Sequence, residues 1–391
     1  CDSTFLSIRG SNLDATNYDG NGVKLLVDGL PVTAADGNNH NRDVDPLAMR
    51  RAIVARGANA LTYGASTLGG AINFISPTAR DGEPNEALLQ LGSHGQRQVR
   101  ATVGTVAGDV DALVSVEAKR SDGFRAHQKQ AREGLYANLG VQLGEAVSTR
   151  FYLTRIDNDQ QLPGALTWDG FNANPRAAQA AALDGNYRLN VGTTRVANRT
   201  VWEIDADSRL SVGVSFEEQK LYHPIVYAPP YFSLLIDTEQ KTTASMARYQ
   251  RKLGDHDLLL GVNWARTTVA GGNYSYTPGV SQTLSTVVDN KANSLELFAM
   301  DRWQFARDWT LVYGAQAIST DRRVASSNLS GDYDSINPRV GLIRQLTPTS
   351  QLFANLSRVY EAPTFYELED ETPGGPANTL LKAMRGASVE I

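Results

Sequence analysis

Residues 209–218 read RLSVGVSFEE, and every second side chain is apolar. Leu210, Val212, Val214 and Phe216 fall on one side of an extended chain. Arg209, Ser211, Gly213, Ser215 and Glu217 fall on the other. The same period runs through DALVSVEAK (111–119). In 257–266 it aligns Leu258, Leu260, Val262 and Trp264, and in 309–317 it aligns Trp309, Leu311, Tyr313, Ala315 and Ala317. Successive side chains of a strand point to opposite faces, so this period predicts a sheet with one apolar and one polar face. The connections alternate in kind. Short polar turns are read at 107–111, 143–147, 205–209, 253–257, 306–309 and 347–351. Long loops are read between them, around 157–185, 221–238, 268–290, 321–336 and 361–383. Short turns at one end and long loops at the other describe an antiparallel barrel of the outer-membrane kind. A secreted sandwich would show turn signals about every 8–12 residues, and that spacing is absent. Phe151, Trp202, Trp264, Trp303 and Trp309 are read near the turns, as an interfacial aromatic girdle.

Composition fits this reading and excludes others. No apolar run approaches the roughly 20 residues that a membrane helix needs. The negative mean hydropathy is compatible with a barrel, in which only alternate residues face lipid. The net charge is −5 and no basic stripe is present, so nucleic-acid binding is not expected. His40, His94, His127, His223 and His256 are scattered without ligand spacing, so no protein-held metal is expected. Neither Gly-x-Ser-x-Gly nor a phosphate loop occurs. The carboxylate pairs Glu361/Glu367 and Asp332/Asp334 are read as solvated loop acids. The chain is therefore expected not to be an enzyme, with no catalytic residue and no resident cofactor. Cys1 is the one cysteine, which excludes an intrachain disulfide. It is either an acylated terminus or an accident of where the sequence starts, and the second reading is preferred.

Residues 1–80 differ in texture from 81–391 and are read as a small α+β globule. A short strand at 5–9 leads through a Gly/Asn/Asp-rich loop to an unbroken apolar strand at Val23–Val27. Asp28-Gly29 then makes a tight turn. Asp45-Pro46 suits an N-cap and first helical position, with a helix of one or two turns over 47–50. The stretch RRAIVARGANALTYGASTLGGAINFI (50–75) holds a β-branched run, a small-residue loop and a second apolar run. From 81 onward, about 13 strands and the start of a fourteenth are read; bacterial single-chain barrels have even numbers. Barrels with plugged lumens have about 22, so both ends are expected to be cut, with further strands beyond Ile391.

Several motifs resemble one family in order along the chain. Arg56-Gly57, Tyr63-Gly64 and Gly69-Gly70-Ala71-Ile72-Asn73 resemble the closing signature of the plug domain of TonB-dependent outer-membrane receptors. Ile8-Arg9-Gly10 matches its "IRG", and Leu26-Val27-Asp28-Gly29-Leu30-Pro31 its "xxDGxP". Ser121-Asp122-Gly123-Phe124-Arg125 resembles a "DGYR" at the top of an early strand. Residues 162–167 resemble the "LPGxLT" of a ferric-citrate-like subgroup, and 357–368 resemble "S-x-x-x-E-x-P-T-x-x-E-L".

The resemblance implies an incomplete all-β membrane barrel, with an N-terminal plug (1–80) in its lumen and the barrel over 81–391. It implies active uptake of a ferric chelate, a siderophore or ferric citrate, across the bacterial outer membrane. The implied partners are TonB of the TonB–ExbB–ExbD complex, reached through a box before Cys1, and outer-membrane lipid. The implied receptor is a monomer. Haem, cobalamin or another bulky solute is the alternative cargo, and a passive porin or adhesin the alternative barrel. Haem is disfavoured because 361–363 read EAP where haem receptors carry "FRAP", and no "NPNL" follows. Two plug loops, 12–22 and 33–43, are candidate apices. Asn38, Asn39, His40 and Arg42 are donors suited to an anionic chelate. Tyr222, His223, Tyr227 and Tyr231 in an outer loop suit stacking on the ligand. Arg9, Gly10, Asp28, Gly29, Arg56, Gly57, Tyr63, Gly64, Gly69, Gly70 and Asn73 are assigned to building the plug. Arg9 and Arg56 are expected to pair with wall carboxylates, with Glu117, Glu217 and Glu296 as candidates.

Overall fold

The computed structural model describes residues 6–11, 21–39, 44–45, 48–65, 67–82, 85–368 and 380–391. The first sheet comprises β1 (Val23–Val27), β2 (Leu30–Pro31), β3 (Arg51–Arg56) and β4 (Gly70–Ile75), in the order β2-β1-β4-β3. β1 and β4 run parallel; the other pairs are antiparallel. Val23, Leu25, Val27, Ile72 and Phe74 pack on one face of this sheet. Leu26 and Ala71 pack on the other, against Ala60 and Ala65. β1 is thus buried on both faces, which is why its sequence does not alternate. The small-residue loop expected after Arg56 is a 3-10 helix, Gly57–Tyr63, that buries Ala60 and Leu61. Residues 6–9 form no strand, and Phe5 lies outside the described residues. Pro46 and Leu47 of the expected helix also lie outside them.

The second sheet has 14 strands in sequence order. They are β5 (Glu86–Leu91), β6 (Arg97–Ala107), β7 (Val110–Ser121), β8 (Gln130–Leu143), β9 (Val147–Gln161), β10 (Arg188–Asp205) and β11 (Ser208–Ala228). Then come β12 (Phe232–Leu253), β13 (His256–Thr277), β14 (Ser281–Ala306), β15 (Trp309–Val324), β16 (Leu329–Thr347), β17 (Ser350–Glu361) and β18 (Met384–Glu390). Each strand pairs antiparallel with its neighbours, and β5 and β18 are the two edges.

The wall is apolar outside and polar inside. On β11, Val212, Val214 and Phe216 are 40%, 50% and 42% exposed, whereas Ser211, Ser215, Glu217 and Gln219 are buried. A soluble sheet buries its apolar face; this one buries the polar face against the plug and presents the other to lipid. Trp202, Trp303 and Trp309 lie beside the short turns. Trp303 and Phe305 have ring centroids 5.7 Å apart, and Phe305 and Trp309 6.5 Å apart. Phe151 is four residues into β9. Trp264 departs from this band: it sits mid-strand, opposite Ser245 and Leu295.

Three of the expected long loops are not loops. β11 and β12 are joined by residues 229–231 alone, β13 and β14 by 278–280, and β15 and β16 by 325–328. Residues assigned to loops around 221–238, 268–290 and 321–336 are the outer arms of hairpins. Outside the bilayer both faces of a strand are wet, so the apolar–polar alternation lapses while the backbone ladder continues. The connection 162–187 holds two short helices, α1 (Trp168–Ala173) and α2 (Ala180–Asp184).

Candidate functional site

The plug is held in the lumen by many polar contacts, beside apolar ones of Leu30 with Ala197 and Met246 and of Leu61 with Leu259 and Phe298. Lys24, the one polar residue of β1, is buried and pairs with Glu296 on β14. Asn263 Nδ2 also donates to Glu296, at 2.8 Å, and to the Tyr63 carbonyl at 3.0 Å. Burial pushes the Lys24 ammonium below its ordinary pKa, against the pull of Glu296. The Gly64 carbonyl accepts from Gln316 Nε2, and the Gly29 carbonyl from Arg248 at 2.9 Å. Glu361, the last residue of β17, accepts from the backbone amides of Gly22 (2.9 Å) and Leu68 (3.3 Å). Glu367 accepts from Asn21 Nδ2 at 3.1 Å. Of the four carboxylates read from the sequence as solvated loop acids, Glu361 and Glu367 therefore fasten the plug, whereas Asp332 and Asp334 are exposed on β16.

A cavity of about 90 Å³ lies between the plug and strands β13, β14, β15 and β17. Lys24, Thr33, Glu296, Arg322, Tyr360 and Glu361 are among its lining residues. Tyr360 is buried, and its hydroxyl has no partner among the described residues; nor has Nε of Arg322. The plug segment over this cavity is firmly seated. Ala35 N donates to Thr267 Oγ1 at 2.9 Å, Arg322 donates to the Asp36 carbonyl at 2.8 Å, and Phe365 N donates to Asp36 Oδ2 at 3.2 Å. Both signs of charge and an unsatisfied phenol border the cavity, among apolar groups such as Val23, Ala265 and Ile318.

The family profile described as "TonB dependent receptor-like, beta-barrel" matches residues 121–391, and "TonB-dependent Receptor Plug Domain" matches residues 1–71. The chain belongs to the TonB-dependent receptor family. Barrels of this family with a plug sit in the bacterial outer membrane, and the family is one of receptors, not enzymes. A hemin receptor of Yersinia pestis is 22% identical over 405 residues, covering 93% of this chain and 53% of that protein. The chain thus spans about half the length of this curated relative. Among solved structures, the copper transporter OprC superposes with a TM-score of 0.79 at 14% identity, over 95% of this chain and 60% of that one. The unliganded ferric citrate transporter FecA gives 0.74 at 16% identity, over 87% and 54%. These two similarities concern the fold.

In this receptor the plug motifs form one network. Asp28 (φ 54°) and Gly29 (φ 81°) make the β1–β2 turn. Asp28 accepts from Ser76 N at 3.0 Å and from Ser76 Oγ at 2.6 Å, while Gly29 N donates to Asn73 Oδ1 at 2.9 Å. Gly64 takes φ 71° and ends the 3-10 helix. Gly69 N donates to the Gly22 carbonyl at 2.8 Å, and Gly57 N to the Gly69 carbonyl at 3.4 Å. Arg248 lies over the Tyr63 ring at 5.9 Å. Gly10 follows Arg9 in a left-handed turn.

The arginine pairing differs from expectation. Arg9 pairs with Glu390 Oε1 of β18 at 2.5 Å, and Arg56 is exposed with no ion-pair partner among the described residues. Glu296 is taken by Lys24, and Glu117 by Arg100 and Arg132 of the wall. Arg100 also reaches Asp45 of the plug at 2.5 Å. In that sector the plug supplies the acid and the wall the arginines, which composition alone does not reveal.

The proposed ligand contacts lie as follows. Asn39 is buried, with Nδ2 donating to the Val23 carbonyl at 2.6 Å and Oδ1 accepting from Thr33 at 2.7 Å. Asn38 is buried, its backbone N–H donating to Asp36. His40 and Arg42 lie outside the described residues. Tyr222, His223 and Tyr227 are on the outer arm of β11, and Tyr231 is exposed in the turn. His223 is buried with Nδ1 2.7 Å from the Arg188 carbonyl, and burial lowers its pKa. The Tyr227 and Tyr276 rings are 5.6 Å apart, and Tyr276 donates to the Gly185 carbonyl at 2.8 Å.

Arg125, read from the sequence only as the last residue of a motif, organises the outer surface. Arg125 donates to the carbonyls of Ala177 (2.9 Å), Gly164 (2.7 Å) and Pro163 (3.3 Å). It thereby binds the "DGFR" turn to the "LPGALT" segment, two motifs otherwise forty residues apart in sequence. Arg125→Ala is expected to raise hydrogen exchange across 162–187 by about tenfold or more, since each charged hydrogen bond contributes about 1.5–3 kcal/mol. Exchange in β11–β14 should stay unchanged; equal protection of 162–187 in both proteins would refute the role.

Proposed function

We propose that this receptor imports a ferric chelate, a siderophore or ferric citrate, across the outer membrane, energised by TonB of the TonB–ExbB–ExbD complex and acting as a monomer. The plug boundary is placed near residue 80, between Ile75 of β4 and Glu86 of β5. The observation that carries the reading is the plug seated in the lumen through dispersed polar contacts. A passive porin needs no such body in its lumen. Polar contacts of this kind can be exchanged for water when a pulling partner shifts the plug. The cavity beside Lys24, Arg322 and Tyr360 is the proposed meeting point of solute and plug, with Tyr222, Tyr227 and Tyr231 as outer contacts.

Haem is the second reading, favoured by the similarity to a protein named as a hemin receptor. Growth of a receptor-deleted strain carrying this gene, on ferric citrate, ferric siderophores or hemin as sole iron source, separates the two. Growth on hemin alone would replace the chelate reading. Plug movement is tested by a tether. Ala35→Cys with Thr267→Cys, in a Cys1→Ser background, joins plug to wall where they already touch. Oxidation is expected to abolish uptake but not chelate binding, and reduction to restore it. Unimpaired uptake by the fully oxidised protein would exclude movement at this contact.

A further inference from the structure

Two buried donors on the inner wall lack a partner, and both border the cavity between plug and wall. Tyr360 of β17 is 5% exposed, and its hydroxyl makes no hydrogen bond among the described residues. Arg322 of β15 is 3% exposed. Its terminal nitrogens donate to Thr320 Oγ1 at 2.6 Å and to the Asp36 carbonyl at 2.8 Å, which leaves Nε without a partner. Arg322 also has no ion-pair partner among the described residues. A buried guanidinium without a counter-charge is costly, and buried donors are nearly always satisfied by protein, water or an ion.

The carboxylates nearby are engaged elsewhere. Those oxygens of Asp36 accept from the backbone amides of Asn38 (3.3 Å) and Phe365 (3.2 Å). Asp321 points to the opposite face of β15 and accepts from Asn293 Nδ2 at 3.0 Å. Glu296 is held by Lys24 and Asn263, and both oxygens of Glu361 are on plug amides. What is left over at the cavity is therefore donor and positive: the Tyr360 hydroxyl and Arg322 Nε–H, with Arg385 of β18 over the Tyr360 ring at 5.9 Å. The volume sets the size of what fits. About 90 Å³ admits a group of a few non-hydrogen atoms, whereas a whole drug-sized ligand fills about 300–1,000 Å³. Val23, Ala265 and Ile318 line part of the remainder, and beside such apolar walls a charge is little screened.

We infer that this cavity is a site for one carboxylate group, whose two oxygens accept from the Tyr360 hydroxyl and from Arg322 Nε–H. A carboxylate matches the two donors in sign, in size and in number of acceptors. Water would satisfy the hydrogen bonds but not the charge of the guanidinium. The carboxylate comes from a free small acid or from a pendant arm of the transported solute; the site assumes nothing about the cargo, and only the second source rests on the chelate reading. Arg322 also holds the Asp36 carbonyl, so an occupied site braces plug residues 35–36 against the wall.

Hydrogen exchange at residues 33–37 of the full-length receptor in detergent micelles tests it. Sodium acetate is titrated at constant ionic strength near neutral pH, with acetamide as the neutral isostere. Acetate is expected to slow exchange saturably, and acetamide to leave it unchanged. Tyr360→Phe keeps the ring in its packing and removes one hydrogen bond to a charged group, so half-saturation should need about tenfold more acetate or beyond. Arg322→Gln should abolish the response, and Tyr360→Phe keeps the test decisive if that variant misfolds. No effect of acetate, an equal effect of acetamide, or a wild-type response of Tyr360→Phe would overturn the assignment and give the cavity to water. Ferric citrate binding separates the two sources. Competition by acetate, with a matching loss of affinity in Tyr360→Phe, assigns the site to an arm of the chelate. Ferric citrate binding indifferent to both assigns it to a free acid. Failure of ferric citrate to bind at all would strike that cargo and leave the acetate result standing.

Discussion

Lys24→Met is expected to loosen the plug by about 3–5 kcal/mol, because it strands Glu296 as an unpaired carboxylate in a nearly dry site. The side chains of Lys24 and Glu296 are 7% and 14% exposed, so little water is available to take the ammonium's place. Asn263 donates to Glu296 but also holds the Tyr63 carbonyl, and a neutral amide does not compensate a charge. The readout is hydrogen exchange of the β1 amides, which should quicken by more than about a hundredfold. The double variant Lys24→Met/Glu296→Leu removes both charges and should return most of the protection, since replacing a buried pair with apolar groups is often neutral or stabilising. If the single variant exchanges like wild type, the pair is hydrated and does not anchor the plug.

Gly70→Ala is the second large effect. Gly70 takes φ 112°, and an added Cβ would lie 2.2 Å from the Ala55 carbonyl oxygen, a backbone atom of the adjacent strand that cannot turn aside. A cost of about 3 kcal/mol or more is expected, from conformational strain and overpacking together. Gly82→Ala separates the two: it takes φ 117°, but a Cβ there meets nothing within 4 Å. Gly82→Ala should therefore cost only the strain, about 1–3 kcal/mol if the loop cannot relax. Protease resistance of the plug in outer-membrane preparations measures both. Equal resistance of the two variants would mean that the contact with Ala55 is not the constraint.

Much of this architecture was legible before any coordinates. Period-two alternation located the wall strands, because a bilayer on one side and a wet lumen on the other force opposite chemistry onto successive residues. The short turns were legible because a tight hairpin draws on few residue types, and all six lie where they were read. The closing signature of the plug was legible because Gly70 and Gly64 occupy backbone conformations and close approaches that a side chain would obstruct. The outer arms of β11–β16 were not legible. Beyond the bilayer nothing enforces alternation, so 209–218 reads as strand while the arm after it, from 221, reads as loop, although one ladder runs through both.

The candidate site was the least legible part. Asn38 and Asn39 looked like free donors because a polar loop segment reads as solvated, yet the fold buries both. Glu361 and Glu367 looked like solvated acids, yet they hold plug amides whose sequence positions are some three hundred residues away. The sequence by itself determined which faces meet lipid, where the chain turns at the short-turn end, and where glycine is required, since each follows from the local environment of a few residues. Only the tertiary structure decided that Lys24 meets Glu296, that Arg9 meets Glu390, and that Asp45 meets Arg100. Those pairings depend on how the plug is rotated within the lumen and on strand register accumulated around the wall, and any arginine or carboxylate facing inward satisfies the local pattern equally well.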